Sequence, residues 1–166
     1  CKSGKDLKTA LEYLDRMLRP AAENELRMSP PNVMTFNIVL EACAKTHARE
    51  VAEDVMAKMR GYGLQPDVET YTAMIRLAQS QAQADEVLQE MESVGLPGDT
   101  VAYSVAMQVC SKMMDLPGMW HFFHLMESKG VEPDEDTFTI LAELYAECGD
   151  FERVSALLGE SRALGF

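Results

Sequence analysis

An aromatic residue recurs along the chain at Phe36, Tyr71, Tyr103 and Phe138, at intervals of 35, 32 and 35 residues. Self-similarity with a period of about 20 to 50 residues marks stacked repeats, in which each copy is one supersecondary unit that cannot bury its apolar face alone. Four residues before each aromatic stands an acid or amide: Asn32, Asp67, Asp99 and Asp134. Such side chains accept hydrogen bonds from the free N–H groups at a helix start. Pro31, Pro66 and Pro133 directly precede three of them and cannot continue a preceding helix.

The clearest copy is Val33–Asp67. Phe36, Val39, Leu40 and Cys43 carry the i, i+3, i+4, i+7 spacing of one helix face. After a break near His47, a second series runs Val51, Ala52, Val55, Met56 and Met59, and Gly61 and Gly63 suit a left-handed helix end. On this template the chain divides into units 1–32 (partial), 33–67, 68–99, 100–134 and 135–166 (partial). The first holds mainly a second helix, with Leu7, Ala10, Leu11, Leu14 and Met17 on one face and a tail from Pro20 to Pro31. Unit 68–99 is three residues short at its turn. The last carries Phe138, Leu141, Leu144 and Tyr145, then Val154, Leu157 and Leu158. The expected fold is all-α: an α-solenoid of stacked helix-turn-helix repeats sharing one elongated core. The opening CKSGKD reads as the interior of a repeat, which suggests an excerpt of a longer chain.

A chain that is 47% hydrophobic and 25% charged can bury such a core. No apolar run approaches the ~20 residues of a membrane span, so no membrane insertion is expected. Cys43 and Cys110 hold the same place in their units and Cys1 and Cys148 fall near it, so the cysteines read as small buried thiols suited to a reducing compartment. His121 and His124 share a helix face, but no paired Cys or acidic ligand stands at a helpful spacing. Packing or exposure is the expectation, with no metal and no cofactor. A Gly-rich phosphate loop, a nucleophile elbow and a carboxylate pair in a clear setting are all missing, and no enzyme activity is expected of this segment.

The opening VMTFN, the mid-unit Ala52, the late Met59, and Gly63 with Pro66-Asp67 resemble the pentatricopeptide repeat. The pattern recurs in VETYT, in TVAYS with Met126, Gly130 and Pro133-Asp134, and in EDTFT with Gly165. The related tetratricopeptide repeat fits less well, because its Trp and Leu-Gly opening is absent. The resemblance implies a right-handed superhelix that binds single-stranded RNA in mitochondria or chloroplasts, with about one base read per repeat. It places the base-reading role on the polar residue after each aromatic, Asn37, Thr72, Ser104 and Thr139, together with the closing Asp67, Asp99 and Asp134. An aspartate suits bases with an N–H on the pairing edge. The family's code gives uracil for Asn37 with Asp67, and guanine for Thr72 with Asp99 and for Ser104 with Asp134, a U-G-G-like target. Thr139 lacks a closing partner. Bases would be sandwiched by the second residue of a unit, for which Met34 and Val101 are apolar candidates, whereas Glu69 and Asp136 are acidic. Phosphate would meet Lys45 and Lys112; the same places elsewhere hold Ser80 and Glu147.

Each closing aspartate would also serve as a plain helix cap. Charge bears on the same question, since phosphate neutralisation needs Lys and Arg. The formal net charge is −12, and by unit it runs +1, −1, −5, −2 and −5, so the excess lies beyond Asp67. The competing expectation is a scaffold that docks proteins of an organellar ribonucleoprotein assembly such as a ribosome. Its motivation is this acidic half and the apolar cluster Met113, Met114, Leu116, Met119, Trp120, Phe122 and Phe123. Within that cluster, packing of Trp120 on the next unit is the favoured expectation.

Overall fold

The computed structural model describes residues 2–19 and 29–165, and every regular element among them is an α-helix. Cys1 and residues 20–28 of the tail lie outside the described residues. The helices gather into two compact units, Cys1–Leu77 and Ala78–Phe166. In the first, α2 (Val33–Thr46) packs on α1 (Lys2–Leu18), α3 (Arg49–Gly61) and α4 (Val68–Arg76). In the second, α6 (Thr100–Lys112) packs on α5 (Gln81–Ser93), α7 (Leu116–Ser128) and α8 (Glu135–Glu147), and α9 (Phe151–Leu164) packs on α8. The architecture is thus an all-α repeat fold in which the first helices α2, α6 and α8 each pack on their own second helix, and within each unit the first helices of adjacent repeats, α2 with α4 and α6 with α8, pack on one another.

Capping explains where the first helices begin. Asn32, Asp67, Asp99 and Asp134 are the N-caps of α2, α4, α6 and α8, and each side chain accepts from the backbone N–H three residues on. Thr35, Thr70 and Thr137 return the bond to the cap's own backbone, completing capping boxes. Position Ala102 has no hydroxyl to do so. Each cap is worth about 1 kcal/mol. The second helices α3 and α5 end alike. After α3, the N–H of Leu64 bonds to the carbonyl of Met59 and that of Gly63, at φ 82°, to Arg60. This double bond needs a left-handed residue, which glycine supplies without a Cβ clash. Gly61 remains helical, so only the second of the two glycines forms the turn.

The turn inside repeats 33–67, 100–134 and 135–166 also uses a left-handed residue, and here the chain does not always use glycine. His47 and Met114 both sit at φ 55°, in the register where the last repeat has Gly149 at φ 78°. The three-residue loss in 68–99 is taken from the end of the first helix: α4 has 9 residues where α2, α6 and α8 have 14, 13 and 13.

The aromatic of each repeat lies in the core, with Phe36, Tyr71, Tyr103 and Phe138 at most 5% exposed. Tyrosine appears where the ring tip meets a polar group of the preceding second helix: Arg60 donates to the Tyr71 hydroxyl at 3.4 Å, and Tyr103 donates to Glu92 at 3.4 Å. Burial first, and Glu92 second, push the Tyr103 hydroxyl up to about 12. Cys43 and Cys110 are fully buried, and burial pushes their thiols up to about 11 and about 12. Cys148 departs from the expectation: it is the C-cap of α8 and exposed, because it falls one turn beyond the place of Cys43 and Cys110. Leu158 likewise is exposed, while Leu157 takes the buried place on α9.

The apolar cluster of α7 splits. Met119, Phe122 and Phe123 are buried, whereas Met113 and Met114 are exposed at the turn before the helix. Trp120 is half-buried, packs edge-on to Phe123 and donates from its indole N–H to the Tyr145 hydroxyl of α8 at 2.6 Å. The indole therefore packs on the next repeat, as the favoured expectation had it.

Candidate nucleic-acid interface

The first compact unit brings Asn37 and Asp67 into direct contact. Asn37 opens the second turn of α2 and Asp67 caps α4, so packing of these two helices places the amide beside the carboxylate. Asn37 Nδ2 donates to Asp67 Oδ1 at 3.1 Å and Oδ2 at 3.3 Å, and also to Glu69 Oε2 at 3.1 Å. Its carbonyl lies 2.7 Å from the Thr70 hydroxyl, which is also 2.8 Å from Asp67 Oδ1. Thr70 has one hydroxyl hydrogen, so it serves Asn37 or Asp67 but not both at once. Asn37 is 4% exposed, and each of its polar atoms has a partner. For Asp67, partial burial raises the carboxyl pKa, but hydrogen bonds from the Thr70 backbone and side chain and from Asn37 outweigh it and leave the group below its ordinary value.

In the second unit the corresponding pair meets through a relay. Ser104 Oγ lies 3.2 Å from Thr137 Oγ1, and Thr137 donates to Asp134 Oδ1 at 2.7 Å. With the Thr137 hydrogen committed to the carboxylate, Ser104 is left to donate to Thr137. The difference from Asn37 is reach: a carboxamide extends past the threonine to the aspartate, and a serine hydroxyl stops at it.

The other predicted residues take separate places. Thr72 turns its hydroxyl back to its own helix, donating to the Val68 carbonyl at 2.8 Å, and is 8% exposed. Asp99 caps α6 through Ala102 N–H at 2.8 Å and is exposed. Thr72 and Asp99 belong to different compact units. Thr139 is exposed, in contrast to the buried Asn37, Thr72 and Ser104. Met34 and Val101 are 68% and 56% exposed, as a stacking contact requires, although exposed apolar side chains such as Ile38 and Phe151 also occur elsewhere on the chain. Glu69 and Asp136 are also exposed.

Lys45 and Lys112 are exposed in the last turns of α2 and α6, where a cation also complements the helix dipole. Lys45 pairs with Glu41 at 3.5 Å, and Glu41 in turn takes Arg76 of α4 at 3.2 Å through both oxygens. Sequence reasoning missed Arg76 and the contact of Glu69. Arg76 is in the register of Glu41, the ninth residue of its unit, and comparing equivalent positions across repeats would have found the opposite charges. His121 pairs with Asp85 at 3.0 Å, and His124 stacks on Trp120 and contacts Glu127. Among the described residues no group of three potential metal ligands comes together, and no helix is long and apolar enough to cross a membrane.

The comparisons with known proteins match this arrangement of helix pairs. A family model described as the pentacotripeptide-repeat region of PRORP matches residues 1–164. A chloroplastic pentatricopeptide repeat-containing protein of Arabidopsis thaliana is 28% identical over 138 residues, which is 81% of this chain and 18% of that protein. Other Arabidopsis relatives with mitochondrial names match over similarly small shares of their length, so the chain spans about a fifth of the curated relatives it resembles. The PPR domain of Arabidopsis protein-only RNase P 1, solved in complex with tRNA, superposes with a TM-score of 0.69 at 20% identity, covering 98% of this chain and 84% of that one. The pentatricopeptide repeat protein PPR10, solved with an 18-nucleotide psaJ RNA element, gives 0.78 at 22% identity over 87% of this chain and 22% of that one. With a family model spanning residues 1–164 and the repeat motif held in register at four helix starts, this chain belongs to the pentatricopeptide-repeat family.

Proposed function

We propose that this segment binds single-stranded RNA and reads bases at its repeat junctions, most directly at Asn37 and Asp67. The observation that carries the reading is the hydrogen bond between these two side chains across α2 and α4. A carboxylate fixed beside an amide sets an acceptor next to a donor group, here occupied by the exposed Glu69 at 3.1 Å, and the two together complement the acceptor and N–H edge of uracil. Exposed Met34 at the start of α2 supplies an apolar surface for base stacking, and Lys45 and Arg76 supply positive charge at the other end of the helices. Ser104, Thr137 and Asp134 form a second, shorter version of the site, with exposed Val101 at the start of α6 and Lys112 in its last turn. The relatives solved with bound RNA and the chloroplastic and mitochondrial names support RNA as the ligand and an organelle as the compartment. In this reading the segment is a binding module, and any chemistry belongs to other parts of the protein or to its partners.

Binding to short RNAs containing U-G-G, compared with A-C-C, tests the proposal. Selective binding to U-G-G that is lost when Asn37→Ala is combined with Asp67→Ala supports it. Equal, weak binding of both RNAs at low salt refutes base reading, and a steep salt dependence without sequence preference assigns the attraction to phosphate alone. A stable protein partner without RNA binding would make the segment a scaffold.

A further inference from the structure

We propose that Glu69 closes the Asn37–Asp67 site from the neighbouring repeat, so that a base enters only by displacing the Glu69 carboxylate. The inference rests on the base-reading role of Asn37 and Asp67. An asparagine amide has two N–H hydrogens, and here both are spent: one is shared by the two oxygens of Asp67, and the other goes to Glu69 Oε2 at 3.1 Å. The amide carbonyl has the Thr70 hydroxyl at 2.7 Å. Asn37 has therefore no donor left for a ligand while Glu69 stays in place.

Glu69 sits in the first turn of α4, where the helix dipole tolerates a negative charge, but the dipole alone does not aim the side chain at Asn37. The bond to the amide does. The position is the second of its repeat, occupied in two other repeats by the exposed apolar Met34 and Val101. Its effect thus falls on the preceding repeat, whose reading amide it holds. Because Glu69 is exposed and joined at its tip, it can rotate into solvent at the cost of one charge-assisted hydrogen bond, while Asp67 stays fixed by its bonds to Thr70. Glu69 also sets an acceptor and a negative charge where an incoming base and its phosphate would approach.

The test measures affinity of the 166-residue chain for a U-containing single-stranded RNA and for its C-substituted counterpart by fluorescence anisotropy. Glu69→Val replaces the carboxylate with an apolar wedge, and Glu69→Gln keeps a neutral acceptor of the same length. Each is made alone and with Asn37→Ser, which reproduces the Ser104 arrangement and so preserves a foldable junction. Glu69→Val is expected to tighten binding of the U-containing RNA about tenfold, the worth of one charge-assisted hydrogen bond, with a smaller gain for Glu69→Gln and none when Asn37 is Ser. No gain, or an equal gain from both substitutions with or without Asn37, overturns the inference and leaves a general charge effect. If Asn37→Ser alone, with Glu69 intact, leaves discrimination between the two RNAs unchanged, base reading itself falls and the inference falls with it.

Discussion

Substituting Asp67→Asn separates the two roles that one side chain carries, helix cap and base reader. As a cap, Asp67 accepts from Thr70 N–H at 2.9 Å, and asparagine caps about as well as aspartate. The Asn37 bond persists as an amide–amide contact, weakened from charge-assisted to neutral, and loss of one of two neighbouring carboxylates around Asn37 offsets part of that. The expected stability change at pH 7 is about 1 kcal/mol or less, a melting shift of no more than about 4 °C. As a reader, the carboxylate accepts a base N–H in a bond worth about 1.5–3 kcal/mol, and a neutral amide oxygen recovers roughly half. Preference for uracil over cytosine at this junction should therefore fall about tenfold. Anisotropy titrations with RNAs differing at a single base, run beside a thermal melt, read both effects. An unchanged preference in a folded variant would refute the reader role and leave Asp67 as a cap. The same variant has a pH signature. The Asp67 pKa is depressed in the folded chain, so its stabilisation is full above the unfolded value of about 3.9 and is lost as pH falls through the folded value. Asp67→Asn should remove this contribution and make acid unfolding less steep.

Met114→Gly should raise stability by about 0.5–1 kcal/mol: it removes the left-handed strain at φ 55° from a half-exposed side chain, less the entropy cost of glycine, and a lowered melting temperature would refute this. Thiol labelling of the native chain at pH 7 should modify exposed Cys148 and spare Cys43 and Cys110 until unfolding, since both are fully buried with thiols raised to about 11 and about 12. Fast labelling of either in the native state would contradict the described core. Trp120→Phe should cost about 1 kcal/mol in chemical denaturation by removing the 2.6 Å bond to Tyr145, whose hydroxyl keeps Arg153 at 3.2 Å; no loss would mean that the bond contributes nothing net.

Repetition made most of the fold legible in the sequence. Four registered aromatics, four caps and the glycines behind each second helix are local signals, and they locate the starts of α2, α4, α6 and α8 because capping depends on residues within one turn. Core membership followed from the same periodicity and holds for Phe36, Leu40, Tyr71, Met91, Tyr103, Met107 and Leu141. It failed at Cys148 and Leu158, where a small shift around the helix exchanges a buried face for an exposed one.

The resemblance to the family pairs Asn37 with Asp67 and Ser104 with Asp134, on motif positions that recur at the same offsets in each copy. It could not give the chemistry of each junction. Side-chain length decides that Asn37 touches its aspartate while Ser104 reaches only Thr137, and helix packing decides that Glu69 accepts from the Asn37 amide nitrogen while the Thr70 hydroxyl faces its carbonyl. Those are contacts over 30 residues or more of chain, set by how α2 and α4 or α6 and α8 lie together. The repeat, its helices and its caps are written in local residue patterns; which donors and acceptors remain for a ligand depends on packing, because hydrogen bonds between helices form only when their ends come within about 3 Å.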